Sequence, residues 1–242
     1  MPPREAAPAK DRSAQLVAIK NLFAREGLRG EFVYRTLREA IIRGVLPEGQ
    51  RIQDRLLALE LGVSRTPVRE ALQRLEAEGF LKNVPRLGLI VAEITPQEIE
   101  DIYIIRIALE GVAARLAAQR ASAGDIEILS SLNEGIARAT HSRDVQQLTT
   151  LNREFHQAIY QAARNASLAE LLNRLHYAVQ RFRQSTLSIP ERAQEALEEH
   201  EQLVAAIRDR DAERAEAIAR AHKEKAMRAR LALYHRQAAP VG

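Results

Sequence analysis

The chain reads LGVSRTPVREALQRL at residues 61–75, and this stretch decides the fold of its first part. Gly62 interrupts an apolar helical pattern, and Ser64 can offer its side-chain oxygen to the start of a new helix. Pro67 falls in the first turn of that helix, where its missing N–H costs nothing. Apolar residues then recur at helical spacing, at Val68, Leu72 and Leu75. A helix, a glycine-bearing turn and a second helix with basic and hydroxyl residues at its start predict a helix-turn-helix.

The flanking sequence predicts a winged form of this motif in residues 32–92. The predicted elements are a helix at 32–43, a turn at 46–49, a helix at 52–61 and, after Gly79, a hairpin formed by 80–84 and 89–91. Residues 1–31 are predicted to be an N-terminal extension, partly disordered, with a short helix from Ser13 to about Glu26. This extension is either a flexible arm or a helix packed on its neighbour, and its sequence indicates no specific function.

From Thr95 onward the pattern is helical throughout. Thr95 and Glu98 are spaced as a capping box, and Pro96 takes the first helical position. The predicted helices are 96–121, 124–140, 144–163, 167–186, 191–208 and 211–236. We therefore predict a mainly α chain, in which an N-terminal winged helix-turn-helix is followed by an all-α antiparallel six-helix bundle at residues 93–237.

Composition narrows the class of protein. The chain has 242 residues, of which 46% are hydrophobic and none is cysteine, so disulfides and thiolate metal sites are excluded. No run approaches the roughly 18 apolar residues of a membrane span, and the N-terminus lacks the apolar core of a signal peptide. We expect a cytoplasmic protein without a membrane partner.

Positive charge is concentrated in the first part of the chain. Residues 1–92 contain 16 Lys and Arg against 11 Asp and Glu, whereas residues 93–242 contain 20 against 21. The second helix of a helix-turn-helix lies in the major groove of DNA and reads bases with its N-terminal residues. Arg65, Thr66 and Arg69 stand at that end of the helix, so the sequence predicts a DNA-binding protein.

Three histidines of the predicted bundle share an inward direction. His156, His200 and His222 each align with apolar residues at helical offsets, and Asn152 lies one turn before His156. Imidazoles without partners are costly to bury, and a shared divalent ion would satisfy them. Such sites suit zinc or nickel. Hydrogen-bonded core histidines are the alternative interpretation.

The stretches LPEGQRI at 46–52, LGVSRTPVREAL at 61–72 and LEAEGF at 75–80 resemble the GntR family of bacterial transcriptional regulators. The helical remainder resembles the effector domain of its FadR subfamily, the FCD type. The resemblance implies a homodimer, a palindromic operator in double-stranded DNA, and a small carboxylate effector that alters DNA binding, most commonly to relieve repression. It places the DNA contacts at Arg55, Ser64, Arg65, Thr66 and Arg69, with Arg86 and Gly88 in the wing.

The same resemblance implies one divalent metal ion per chain, held by Asn152 and the three histidines. The family commonly has Asp or Asn at the first of these positions, and a neutral amide is the weaker ligand. Arg106 would pair with the effector carboxylate, for which its planar guanidinium is suited, and Asn152 and His176 would line the same effector site. An internal salt bridge of Arg106 is the alternative. Two rival functions are a metal-dependent enzyme in the bundle and a DNA-binding protein without an effector.

Overall fold

The computed structural model describes residues 9–23, 29–179 and 185–238, which divide into two compact units after Ile94. Each unit has its own hydrophobic core. The first unit comprises α1 (Ala9–Phe23), α2 (Arg29–Ile42), α3 (Asp54–Leu61), α4 (Arg65–Ala77), β1 (Leu81–Val84) and β2 (Gly88–Val91). The two strands are antiparallel, with Leu81 opposite Val91 and Val84 opposite Gly88. This is the predicted winged helix-turn-helix.

The turn between α3 and α4 depends on Gly62. Its φ of +63° lies in the left-handed region, which glycine adopts at no steric cost. Ser64 occupies the N-cap position of α4 with extended backbone, but its side chain makes no capping hydrogen bond. The predicted capping role of the Ser64 hydroxyl is therefore wrong. The start of α4 is instead stabilised by Pro67, whose fixed φ suits the first turn of a helix, and by the burial of the apolar face of α4.

The segment before α3 is extended rather than helical. The N–H of Ile52 donates to the carbonyl of Leu89 at 2.8 Å, and the N–H of Gly49 donates to that of Val91 at 3.0 Å. Residues 49–52 thus lie along the free edge of β2 and satisfy its backbone groups. The predicted helix start at Ile52 is wrong by two residues, since this edge offers the chain an alternative set of hydrogen bonds.

Helix α1 is part of the core of the first unit. Leu16 and Ile19 are buried, and α1 packs against α2 and α3. The Lys20 ammonium donates to the carbonyl of Leu61 at 2.8 Å, at the C-terminal end of α3 where carbonyls lack helical partners. The predicted end of this helix near Glu26 lies outside the described residues.

The second unit is a bundle of six helices in the described residues. They are α5 (Pro96–Arg120), α6 (Ala123–His141), α7 (Val145–Ala162), α8 (Ala166–Val179), α9 (Pro190–Arg208) and α10 (Ala212–Ala238). The Thr95–Glu98 capping box is confirmed. The predicted end of the fourth helix at 186 is wrong: α8 is described to Val179, and Ser185 caps a separate 3-10 turn at Thr186–Ser188.

The long helices α5 and α10 pack closely against each other. Gly111 permits this approach, because a Cβ placed there would lie 2.8 Å from Cγ of Arg220. Four alanines of α5 are also fully buried: Ala113, Ala114, Ala117 and Ala118. This pair brings polar side chains of α5 and α10 together inside the bundle. Among the described residues, no helix combines the length and apolar character that crossing a membrane requires.

Candidate nucleic-acid interface and metal centre

The predicted DNA-contacting side chains around α4 are exposed. The exposed set comprises Arg55 on α3, Ser64 at the N-cap, and Arg65, Thr66 and Arg69 in the first turns of α4. The opposite side of α4 is buried through Val68, Leu72 and Leu75. The helix therefore presents basic and hydroxyl groups to solvent while its apolar side fixes its position. These groups suit phosphate oxygens and base edges.

Asp54, at the start of α3, holds two of these arginines. Its Oδ2 accepts from Nε of Arg69 at 2.7 Å and from Nη2 of Arg65 at 3.0 Å. The hydrogen bonds from Arg69 and then Arg65 lower the pKa of Asp54 to about 2. Asp54 is thus a carboxylate at neutral pH that orients both guanidinium groups. Sequence reasoning did not single it out, although its acidic character among basic residues was visible.

The wing has a tip suited to a close approach. Arg86 is exposed with a φ of +70°, and Gly88 has a φ of +79°. Nothing lies within 4 Å of the place where a Cβ on Gly88 would stand. Both residues therefore sit at the turn of the hairpin, where a nucleic-acid backbone meets little steric hindrance.

The three predicted histidines meet inside the second unit. One ligand atom from each of His156, His200 and His222 lies within 4.8 Å of the others. Their ring centroids are 4.9 to 5.3 Å apart. They come from α7, α9 and α10, so the bundle and not the local sequence assembles the cluster.

Burial keeps these imidazoles neutral. Burial lowers the pKa of His156 and His200 well below the ordinary 6.5. It lowers the pKa of His222 to about 4, although the neighbouring Glu199 raises that pKa. A neutral imidazole has one lone pair to offer to a metal ion or a donor. Both ring nitrogens of His200 are buried and have no hydrogen-bond partner among the described residues.

Two buried carboxylates lie beside Nδ1 of the other rings. Oε2 of Glu199 lies 2.5 Å from Nδ1 of His222, and Oε2 of Glu110 lies 3.5 Å from Nδ1 of His156. A carboxylate beside Nδ1 favours a proton there and leaves the lone pair on Nε2. This arrangement is usual behind metal-bound histidines.

These residues fit a divalent metal ion. The donor set is three neutral imidazoles, one of which has no hydrogen-bond partner among the described residues, and each of the other two has a carboxylate beside Nδ1. Asn152 stands one turn before His156 on α7 and is half-buried. Its amide makes no hydrogen bond within the part of the chain that the structure describes, so its role as a fourth ligand stays a prediction.

The predicted effector-binding arginine is paired inside the protein. Nε and Nη2 of Arg106 donate to Oε1 of Glu110 at 3.0 and 2.6 Å, and both side chains are buried. This is the internal salt bridge that the sequence left as an alternative. Burial raises the pKa of Glu110, but the positive charges of Lys223 and Arg106 outweigh this effect and lower the pKa to about 2. An effector carboxylate would have to share Arg106 with Glu110 or replace it.

Sequence reasoning missed five buried charged residues of the second unit: Glu110, Arg192, Glu199, Lys223 and Arg230. For Glu110 a signal existed, since it follows Arg106 by four residues and therefore lies on the same face of the helix. Lys223 and Glu199 gave no such signal, because these residue types are almost always exposed.

His176 lies half-buried on α8, near the charged residues of the interior. Burial, followed by the positive charges of Arg106 and Lys223, lowers its pKa to about 3. Its imidazole is therefore neutral across the physiological range.

A cavity of about 10 Å³ lies beside Glu110, His156, His222 and Lys223, close to the space that a single water molecule needs.

Comparison with known proteins gives two family matches along the chain. Residues 29–91 match the bacterial regulatory proteins of the gntR family, and residues 101–225 match the FCD domain. The HTH-type transcriptional regulator YdhC of Bacillus subtilis is 30% identical over 190 residues, which cover 78% of this chain and 85% of that protein.

Two further relatives have more specific names. McbR of Escherichia coli is 31% identical over 73% of this chain and 81% of its own length. Its solved structure has a TM-score of 0.69 with 28% identity and covers 88% of this chain and 100% of that chain. The gluconate operon transcriptional repressor of Bacillus licheniformis is 29% identical over 69% of this chain and 68% of its own length.

Proposed function

The chain belongs to the gntR family of bacterial regulatory proteins and carries an FCD domain, and we propose that this transcriptional regulator represses an operator until a small carboxylate binds in its helical unit. Its relatives are transcriptional regulators, which confirms the prediction of a regulator rather than an enzyme. Repressors occur among them, and repression is proposed here by that likeness.

The exposed basic face of α4 is the observation that carries DNA binding. Arg65 and Arg69 stand at the helix N-terminus, where a recognition helix meets base edges, and each specific arginine contact contributes about 1–3 kcal/mol of base discrimination. Arg55, Ser64, Thr66, Arg86 and Gly88 complete the proposed interface. Because regulators of this kind act on bacterial DNA, we place the protein in the cytoplasm.

The ring nitrogens of His200, which lack a hydrogen-bond partner among the described residues, support a metal ion in the bundle. We propose that His156, His200 and His222, with Asn152, hold one divalent ion per chain, zinc or nickel. A bound ion would supply a Lewis-acid position for a carboxylate oxygen of the effector. The protein's own part is to keep the three rings neutral and oriented.

The charge of the bundle interior favours an anionic effector. Among the described residues, the buried charged side chains of the second unit are Arg106, Arg192, Lys223 and Arg230 against Glu110 and Glu199. An excess of buried cations is reduced when a carboxylate enters, which supports the proposed role of Arg106. The cavity beside the histidines measures about 10 Å³ and Arg106 does not line it, so entry of the effector requires side chains of the interior to move.

We further propose a homodimer that binds a palindromic operator. Large apolar side chains are exposed on the second unit, including Ile104 and Ile105 on α5, Ile128 on α6 and Leu171 on α8. Two recognition helices related by a twofold axis would fit half-sites about one helical turn apart. Effector control then requires different effector affinities in two arrangements of the dimer.

DNA binding is tested by gel-shift with the region upstream of the protein's own operon. A sequence-specific complex is expected, which R65A and R69A weaken by about tenfold or more each. R43A is the matched control, since Arg43 is an exposed arginine of the same unit that pairs with Glu39. Equal affinity for random DNA of the same length would rule out the operator.

The effector is sought by thermal-shift screening of carboxylate metabolites against the zinc-supplemented chain. A stabilising acid is expected, whose effect R106A abolishes and which weakens operator binding. Metal analysis should give about one ion per chain, and less in H156A, H200A or H222A. If no acid stabilises the chain while operator binding holds, the rival DNA-binding protein without an effector is the better reading.

A further inference from the structure

A buried lysine lies beside the histidine cluster. The side chain of Lys223 is 5% exposed, and its Nζ lies 3.0 Å from Nε2 of His156 and 3.0 Å from Oε2 of Glu110. Lysine is almost never buried so fully without a partner of opposite charge. Glu110 provides that charge, but the contact with His156 needs a separate explanation.

The contact uses the lone pair that a metal ion would need. Because Nζ of Lys223 can only donate, Nε2 of His156 carries the lone pair and the ring proton lies on Nδ1, which is 3.5 Å from Oε2 of Glu110. An ammonium group has donors only, so Nζ of Lys223 donates to Nε2. A zinc ion would bind the same atom at about 2.0–2.1 Å.

We propose that Lys223 is a resident cation of the histidine cluster and competes with the metal ion for Nε2 of His156. An imidazole nitrogen has one lone pair, so the two partners exclude each other. Lys223 thereby satisfies His156 when no metal is bound and lowers the apparent metal affinity. The inference rests on the proposed metal site, but it makes a separate claim about what opposes metal binding there.

The exchange also changes which helices are tied together. In the structure Lys223 links α10 to His156 on α7 and to Glu110 on α5. When metal takes Nε2, the link to α7 is lost, while the link to α5 can persist because Glu110 keeps its charge. Metal binding therefore alters a contact between α7 and α10 that does not involve the effector.

Zinc affinities of three proteins test this competition. The full-length wild type, K223M and K225M are stripped with EDTA and titrated with zinc against a chromophoric chelator. K223M is expected to bind zinc about tenfold more tightly or better, the scale of changes next to metal ligands. Methionine keeps the length of the side chain and removes its charge and donors.

K225M is the matched control. Lys225 lies two residues away on the same helix, its side chain is 44% exposed, and its Nζ lies 2.8 Å from Oε1 of Glu199. Its removal takes away the same charge near the cluster without touching His156. Its effect should stay within about threefold, because Lys225 itself is exposed and Glu199 keeps its charge and its contacts with Arg192 and His222.

Each outcome has a distinct reading. If the wild type binds zinc and K223M binds it no more tightly, the proposed competition is wrong, while the proposed metal site is still supported. Equal tightening in K223M and K225M also overturns it, because general electrostatics would then suffice. If K223M binds zinc and the wild type does not, the competition is supported, and the native protein does not use a metal ion at this site. Zinc binding by neither protein overturns both proposals.

Folding of the variant is checked by circular dichroism, and K223Q serves as a second neutral variant with the same expected direction. If neither variant folds, a crystal structure of the zinc-loaded wild type decides. We expect Nζ of Lys223 beyond hydrogen-bonding distance of Nε2 of His156 in that structure. A zinc ion on the three histidines with the lysine contact intact would overturn the inference.

Discussion

Oε2 of Glu199 lies 2.5 Å from Nδ1 of His222, so a carboxylate of α9 orients an imidazole of α10 from behind. The same oxygen accepts from Nη2 of Arg192 at 2.7 Å, which holds it in place. Glu199 is thereby a positioning residue for the proposed metal site: it acts on the ring through Nδ1 and leaves Nε2 to face the cluster.

Replacing Glu199 by Gln should weaken zinc binding about 10- to 100-fold, because the amide removes the charge that fixes the tautomer and orientation of His222. E198Q is the control, since Glu198 is exposed next to it and bonded to Gln194. Chelator competition gives both affinities, and circular dichroism confirms folding. Equal zinc affinity in E199Q and wild type would show that Glu199 does not support a metal ligand.

The fold was predictable from sequence because its signals are local. Gly62 marks the turn of the helix-turn-helix, and the Thr95–Glu98 capping box marks the start of the bundle, so each is read within a few residues. The extended backbone at Ile52 was mispredicted as helical because its partner, β2, lies more than thirty residues away. Such long-range hydrogen bonds leave no periodic trace in the sequence.

The candidate site was only half predictable for a related reason. His156, His200 and His222 align with apolar neighbours, so their inward direction could be read from helical offsets. Lys223 directly follows His222, and which of the two neighbours is buried depends on packing against other helices. Both are in fact buried. The burial of a charged side chain through long-range packing therefore could not be predicted from the sequence. Here the buried Lys223 contacts one of the predicted metal ligands.

Asp54 should set how selectively the protein binds DNA. In D54N the guanidinium groups of Arg65 and Arg69 lose the carboxylate that orients them, while the interface gains net positive charge. Binding to random DNA should tighten through phosphate contacts. We expect the ratio of operator to random affinity to fall about five- to thirtyfold, equivalent to about 1–2 kcal/mol.

Gel-shift titrations at two salt concentrations measure this ratio. D11N makes the same change of charge on an exposed residue of α1 and should leave the ratio unchanged. If D54N and D11N tighten both DNAs equally, Asp54 contributes only its charge and does not orient the arginines.

Helix α1 should stabilise the winged-helix unit. Leu16 is fully buried, so L16A removes apolar contacts and leaves a cavity, at a cost of about 2–5 kcal/mol in the free energy of unfolding. Val17, the next residue, is 41% exposed, and V17A should change stability by about 0.5 kcal/mol or less. Hydrogen exchange of the amides in α2 to α4 reports on this unit directly. Equal protection in both variants would mean that α1 is dispensable for the winged helix.

His176 should make the protein less stable in acid. Burial, then Arg106 and Lys223, lower its pKa from 6.5 to about 3 in the folded chain. Between these values the unfolded chain binds a proton that the folded chain does not, so the free energy of unfolding falls as pH falls below 6.5. The slope is at most about 1.4 kcal/mol per pH unit.

The comparison is made on metal-free wild type and H176N by urea unfolding at several pH values from 6.5 to 4. The difference between the two free energies should shrink or reverse toward acid, because the variant lacks this proton while the other histidines titrate in both. H235N, which replaces an exposed histidine of α10, is the control variant. Parallel curves for H176N and wild type would mean that the ring is solvated enough to accept its proton in the folded state.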